Sequence, residues 1–296
     1  MKKRVLIFLT ILCMLTIMGS KYQDMGVIEA YSEGNKTVAM DKPPFRYYLS
    51  GKAVTKKTSA LNLKVKSSKA NNITDDEEWF TKNKLTMNTY EVPNPYADTL
   101  GNVPDGIDTY WNDLMITAAF YDSSYIYCTY GSNFIEGYVL NVYDAKTLEI
   151  MYSLDFSEYR YAPDYIKGDY DYVQQKINWA AIKNNILYVS HSHSTYAKSS
   201  MNKNAYITAI DLSDRSILWR TKALVCNSYN FVIVNNVILC GYGFTAEPDY
   251  LYQLNISNGK VLKKTKVKSA ISYIVKKGSA VYVRTYNTDY KFKIVK

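Results

Sequence analysis

AYITAIDLSDRSILWRTK, residues 205–222, reads as an apolar strand, a polar turn opened by Asp211, and a second strand ending in Trp219. Two further segments share the form: YVLNVYDAKTLEIMY, starting at Tyr138, and DYLYQLNISNGKVLK, starting at Asp249. Placed under one another, Asp144, Asp211 and Asn255 coincide. So do Lys146, Ser213 and Ser257, followed by the apolar pairs Ile150/Met151, Ile217/Leu218 and Val261/Leu262. An Asp or Asn opening a turn accepts hydrogen bonds from amides further along the chain. Asp211 therefore reads as a turn former and not as a functional acid.

A second unit precedes each of these. SSYIYC (123–128), NNILYV (184–189), NNVILC (235–240) and GSAVYV (278–283) align without gaps, each behind a short apolar strand. Ser-Ser, Asn-Asn and Gly-Ser stand where a tight hairpin needs turn formers. The repeating unit is thus four strands, with 44 residues separating Asp211 from Asn255 and 67 separating Asp144 from Asp211. A four-stranded repeat of about 40–45 residues is the signature of a propeller blade. One such sheet cannot bury both faces alone, so the blades must pack against each other. The fold expected is all-β, a β-propeller of four-stranded antiparallel blades over residues 79–296, four in number, with a fifth built from the N-terminal segment as the alternative. The last copy stops after a third strand, YKFKIVK (290–296). NKLTMNTYEV (83–92) resembles the missing fourth strand, and is expected to close the ring by covering the exposed C-terminal edge.

YITAIDLSDRSILW and YLYQLNISNGKVLK resemble the pyrroloquinoline-quinone-like, or quinoprotein dehydrogenase-like, β-propeller repeat. In that repeat a strand ends in Ala-hydrophobic-Asp, and a turn often closing on Gly leads to a hydrophobic pair and Trp. The match spans about 111–296. Trp219 has Tyr152 and Lys263 as counterparts, and Gly259 is the one turn glycine kept. The resemblance implies the propeller fold without implying the cofactor. A quinoprotein dehydrogenase would need adjacent cysteines, a Trp platform and a calcium-binding carboxylate. Adjacent cysteines are missing and the tryptophans stand in blade positions or outside the repeats, so neither bound quinone nor redox catalysis is expected.

The flanks differ from the repeats. Lys2, Lys3 and Arg4 precede VLIFLTILCMLTIM, a basic then apolar order that reads as a secretory signal over 1–20, with cleavage as late as 30 an alternative. Left uncleaved, it would be a membrane anchor. Residues 21–78, rich in Lys, Ser, Thr and Asn, read as a mostly disordered basic tether, in which FRYYLS and ALNLKV are candidate short strands. The location expected is secreted or cell surface. The formal charge is +9, and it comes from lysines without Arg clusters, which argues against base readout and against a nucleic-acid partner.

Chemistry is sparse. Thirty tyrosines against nine phenylalanines fit strand propensity and packing, with a sugar-binding aromatic rim as the alternative. His191 and His193 are the only histidines, two residues apart on one strand face, and any His-dependent catalysis must use one of them. The spacing also permits metal binding, although no third ligand accompanies it. Asp164, Asp169 and Asp171 in APDYIKGDYDY, with PDGID at 104–108, are candidates for calcium or for paired-carboxylate hydrolysis. Cys240 should face Phe231 across the hairpin at Asn235. Five extended residues then separate it from Cys226, about 16 Å, too far for a disulfide.

Function is expected where the repeat is interrupted, because insertions collect where a scaffold tolerates variation. The candidate ligand-binding residues are Tyr159, Tyr161, Asp164, Tyr165, Asp169, Asp171, His191 and His193. The reading is an exported, non-catalytic scaffold binding an envelope protein or a glycan. The rival is a carbohydrate-active enzyme using the loop carboxylates.

Overall fold

Val, Ile, Leu and Tyr dominate the apolar runs and alternate with residues facing the next sheet, so each run settles as a strand. The computed structural model of the protein describes residues 56–295 apart from positions 73, 75, 96 and 98. All of these belong to the unit spanning 40–296. The signal segment, FRYYLS and the tether up to residue 55 lie outside the described residues. Before the first repeat come β1 (Asn62–Ala70), α1 (Asp76–Asn83), β2 (Thr89–Tyr90) and β3 (Tyr110–Trp111).

Four antiparallel sheets follow. Blade 1 holds β4 (Leu114–Tyr121), β5 (Tyr125–Gly131), β6 (Val139–Asp144) and β7 (Ile150–Asp155), with β2 and β3 both paired to β4. Blade 2 holds β8 (Lys176–Lys183), β9 (Ile186–Ser192), β10 (Tyr206–Asp211) and β11 (Ile217–Arg220). Blade 3 holds β12 (Val232–Val234), β13 (Val237–Tyr242), β14 (Tyr250–Asn255) and β15 (Val261–Lys266). Blade 4 holds β16 (Ile271–Lys277), β17 (Ala280–Thr285) and β18 (Thr288–Val295), and β1 is its fourth strand.

The turn chemistry matches the repeat. Asn184 and Asn185 both take positive φ in the β8–β9 hairpin, as a tight primed turn demands. The Oδ1 atoms of Asp144, Asp211 and Asn255 accept from the amides of Lys146, Ser213 and Ser257 at 2.8, 2.9 and 2.9 Å. Four residues beyond each turn opener, Leu148, Arg215 and Gly259 all adopt left-handed backbone. Two of these positions lock one blade to the one before. The Arg215 guanidinium lies 5.2 Å from the Tyr152 ring, and Gly259 packs so closely on Trp219 that a Cβ there would fall 2.5 Å from the indole.

Buried clusters join consecutive blades. Phe120, Tyr127, Leu140 and Leu154 of blade 1 meet Ile177, Leu187 and Val189 of blade 2. Trp219, Tyr188 and Ile207 meet Ile238 and Leu254 of blade 3, and Leu239 and Leu251 meet Ile274, Val283 and Phe292 of blade 4. Tyr127 also accepts the Ile182 amide of blade 2 at 2.9 Å while its hydroxyl donates to Asp122 at 2.8 Å. Among the described residues, no comparable cluster joins blade 4 to blade 1.

Three expectations are corrected. The partner of the C-terminal strand is β1, with Asn62 opposite Val295 and Ala70 opposite Thr288. It is not the segment 83–92, of which Thr89 and Tyr90 pair instead with Phe120 and Ala119 of β4. Leu61 and Leu63 pack on the blade 3–blade 4 core and so tie β1 to that edge. The tether read as mostly disordered over 21–78 is also shorter: its candidate strand ALNLKV is present from Asn62 within β1, and Asp76–Glu78 open α1. The cysteine separation also fails. Residues 226–231 are not extended, since the amides of Asn227 and Ser228 both donate to the Gly241 carbonyl at 2.8 and 3.2 Å. Cys226 is thereby folded back beside Cys240, whose sulfur lies 3.5 Å from the Val225 carbonyl oxygen. Both are buried thiols.

Candidate functional site

The insertion between blades 1 and 2, residues 156–175, carries two 3-10 turns, Ser157–Tyr159 and Lys167–Asp169. It is held to blade 1 by a buried carboxylate. Glu136, in the β5–β6 loop and 6% exposed, accepts from the Ser132 amide at 3.1 Å and the Asn133 side chain at 3.0 Å. From the insertion it accepts Arg160 Nη2 at 2.8 Å and Gln174 Nε2 at 3.2 Å. The Arg160 guanidinium covers the Tyr138 ring at 4.3 Å. On the far side, Lys203 pairs with Asp164, and the Ile166 amide donates to the Ser199 carbonyl at 2.7 Å, tying the first insertion to the second. Glu247 of the β13–β14 loop accepts the Ala197 amide at 2.7 Å and the Tyr242 hydroxyl. Loops from three blades thus form one hydrogen-bonded face.

On that face stands a cluster of tyrosines. Tyr161 and Tyr170 stack at 4.8 Å with 10° between their planes, and Tyr165 lies 5.7 Å from Tyr161. Tyr170 and Tyr172 remain 50% and 66% exposed. Gln174 donates to the Tyr161 hydroxyl at 3.1 Å. Burial pushes the Tyr161 hydroxyl up from its ordinary range. Asp164 and Asp171 are exposed around it and Asp169 is half-buried.

The eight candidate residues separate into two groups. Tyr161, Asp164, Tyr165, Asp169 and Asp171 gather on the loop face. Tyr159, His191 and His193 lie beneath it, each no more than 3% exposed. His191 Nε2 is 3.1 Å from the Thr208 hydroxyl, with its ring 5.2 Å from Tyr159 and 5.8 Å from Tyr206. His193 Nε2 is 2.7 Å from the Ser200 hydroxyl, and Asn204 receives its backbone amide at 2.8 Å. These three side chains are buried beneath the loops. Glu136, Arg160 and Gln174 escaped the sequence reading, since their mutual contacts span 24 and 38 residues and carry no motif. Among the described residues, no three His, Cys, Asp or Glu side chains converge to hold a metal ion.

Two outcomes follow from this geometry. Glu136→Ala removes one partner of a largely buried charge pair and should cost about 2–4 kcal/mol, near the range for breaking such pairs. Hydrogen exchange at 157–175 should accelerate well before the blades unfold; uniform exchange would contradict the anchoring role. The histidines give a pH signature. Burial depresses His193 to about 4 and His191 well below its usual value, with the Arg220 charge acting in the same direction on His191. An unfolded histidine titrates near 6.5. Between those values the unfolded state binds more protons, so stability falls as pH drops from 6.5 towards 4. For His193 alone the loss approaches about 3 kcal/mol at the lower end. Melting temperatures measured across this window should fall less steeply for His193→Gln, and parallel profiles would rule the assignment out.

The four sheets, their shared turn chemistry and their successive apolar interfaces define the chain as a β-propeller scaffold. No family model matches it, and no curated protein is similar at the level of sequence. Solved structures similar to it include BamB from Moraxella catarrhalis, with 13% identity, 59% of this chain and 42% of that chain covered, and a TM-score of 0.38. The β-propeller domain of Cps50 from Myceliophteria thermophila has 12% identity, coverage of 62% and 52%, and a TM-score of 0.39. The computationally designed Ika4 protein has 12% identity, coverage of 66% and 100%, and a TM-score of 0.41. The chain spans about half the length of the two natural propellers.

Proposed function

We propose that the chain is an exported, non-catalytic β-propeller that binds an envelope protein through the tyrosine-bearing face of its blade 1 and blade 2 loops. The observation that carries this reading is the stacked Tyr161–Tyr170 pair, anchored by Glu136 and Arg160 and leaving Tyr170 and Tyr172 open to a partner. Rigid aromatic anchors with a polar rim are the usual energetic centre of a protein interface. A glycan is the second reading, supported by the exposed tyrosine rings. Export rests on the basic and then apolar order of residues 2–18. Membership of the quinoprotein-like repeat class is supported by the spacing at which Arg215 meets Tyr152 and Gly259 meets Trp219.

The test presents the full chain to envelope proteins and to a glycan array, with binding and turnover both recorded. Binding without turnover, lost in the Tyr170→Ala/Tyr172→Ala double variant and kept in Asp169→Asn, is the expected result. Glycan turnover abolished by Asp169→Asn would establish the enzymatic rival instead.

A further inference from the structure

Charge is divided sharply along the chain. Residues 56–70 and 249–295, which build blade 4 and the outer strands of blade 3, carry fifteen Lys and Arg against two Asp and Glu, a balance of +13. Residues 71–248 carry twelve against twenty-one, a balance of −9. Part of this excess lies on the face of blade 4 turned away from blade 3. There Lys64 stands directly opposite Lys293 across the β1–β18 ladder, and both are exposed. Like charges directly opposite each other destabilise a sheet, so packing gives no reason for the pair. Lys291 is two residues from Lys293 on the same face, about 7 Å along the strand.

This face is recessed. A groove of about 400 Å³ runs between α1 and the strands, lined by Lys69, Lys82 and Lys291 with the Arg284 side chain below them. Its acidic members are Glu78 and Asp289. Asp289 is already engaged, bonded to Arg284 Nη1 at 3.1 Å and to the Asn71 side chain at 2.7 Å. Three ammonium groups therefore face one uncommitted carboxylate in the groove, and Lys64 and Lys293 extend the row along the sheet.

We propose that this lysine face of blade 4 binds a flexible phosphodiester-linked polymer. A linear polyanion matches the surface in two ways. Its regularly spaced negative charges complement a row of lysines that is otherwise self-repelling, and a chain can enter a groove that a flat bilayer cannot. The protein then has two working surfaces, since the loop face of blades 1 and 2 lies in the acidic part of the sequence. Polymer binding on blade 4 would hold the chain in place while leaving the tyrosine cluster free.

The test uses the full chain and a fluorescent synthetic poly(glycerol phosphate), with dextran as the neutral control. Affinity should fall steeply with salt, because each neutralised phosphate releases condensed counterions, with a slope of about 0.7 per contact for a single strand. Lys64→Gln/Lys291→Gln/Lys293→Gln should weaken binding at least tenfold in low salt and reduce that slope by about 2. Lys146→Gln/Lys167→Gln/Lys198→Gln makes the same change in net charge on blades 1 and 2 and should leave binding unchanged. Equal losses in the two triple variants would overturn the proposal, as would a salt slope near zero for the unaltered chain. Binding to anionic phospholipid vesicles without binding to the polymer would also overturn it. So would sedimentation showing that the lysine triple variant abolishes self-association while polymer binding persists.

Discussion

Arg284→Ala is expected to destabilise the fold by about 3–5 kcal/mol, the range for removing one member of a buried ion pair. Arg284 is 1% exposed at the end of β17. Its Nε meets Asp76, Nη1 donates to Asp289 at 3.1 Å, and Nη2 donates to the Asn72 carbonyl at 2.7 Å. The guanidinium also lies 5.8 Å from the ring of Trp79, which is itself 4% exposed. One side chain thus fastens the β1–α1 connection to the last blade across 208 residues of sequence. Removing it leaves Asp76 and Asp289 without their cation and opens space beneath Trp79. For a folded body of this size the melting temperature should drop by roughly 6–20 °C. Arg284→Lys keeps the charge but not the planar fork, and should fall between the two. Hydrogen exchange should rise first in 62–83. A loss below about 1 kcal/mol would show that the helix is held by other contacts.

Trp219→Ala should cost about 3–5 kcal/mol, as truncation of a buried aromatic does. The indole is 3% exposed, lies 5.8 Å from Tyr188 and donates to the Ile256 carbonyl of blade 3 at 3.2 Å. The reciprocal change, Gly259→Ala, adds a side chain where φ is +67° and where the new Cβ meets the indole at 2.5 Å. Left-handed strain of about 1–2 kcal/mol and overpacking of about 1–3 kcal/mol act together there. In the double variant, the cavity left by Trp219 accommodates the added methyl. Its loss should therefore be smaller than the sum of the two, a coupling that chemical denaturation can measure. Strict additivity would mean that the glycine and the tryptophan do not form the interblade lock.

Much of the scaffold was legible in the repeat. The turn openers Asp144, Asp211 and Asn255, and the Asn184–Asn185 hairpin, act through bonds made within a few residues, and such chemistry is written locally. The candidate site was legible only in part. Insertion into a regular repeat marked the right loop and its tyrosines. Nothing marked Glu136 as their anchor, because its worth depends on Arg160 and Gln174 arriving from the next connection. His191 and His193 show the opposite failure. Alternation put both on one strand face, whereas β9 ends at Ser192 and His193 falls just past it, and the burial of both is set by the loops folded over that strand end.

What the sequence determined by itself was the blade: four strands, their turns, their alternating apolar faces, and the division of charge between the two parts of the chain. Tertiary structure alone decided which strand completes the last blade. Leu61 and Leu63 find a core that exists only once blades 3 and 4 are packed, and Arg284 then holds the helix that follows. Strand periodicity is a property of neighbouring residues. The choice among competing edges is a property of the surfaces those strands meet, and that choice is made by burial and charge pairing across some two hundred residues.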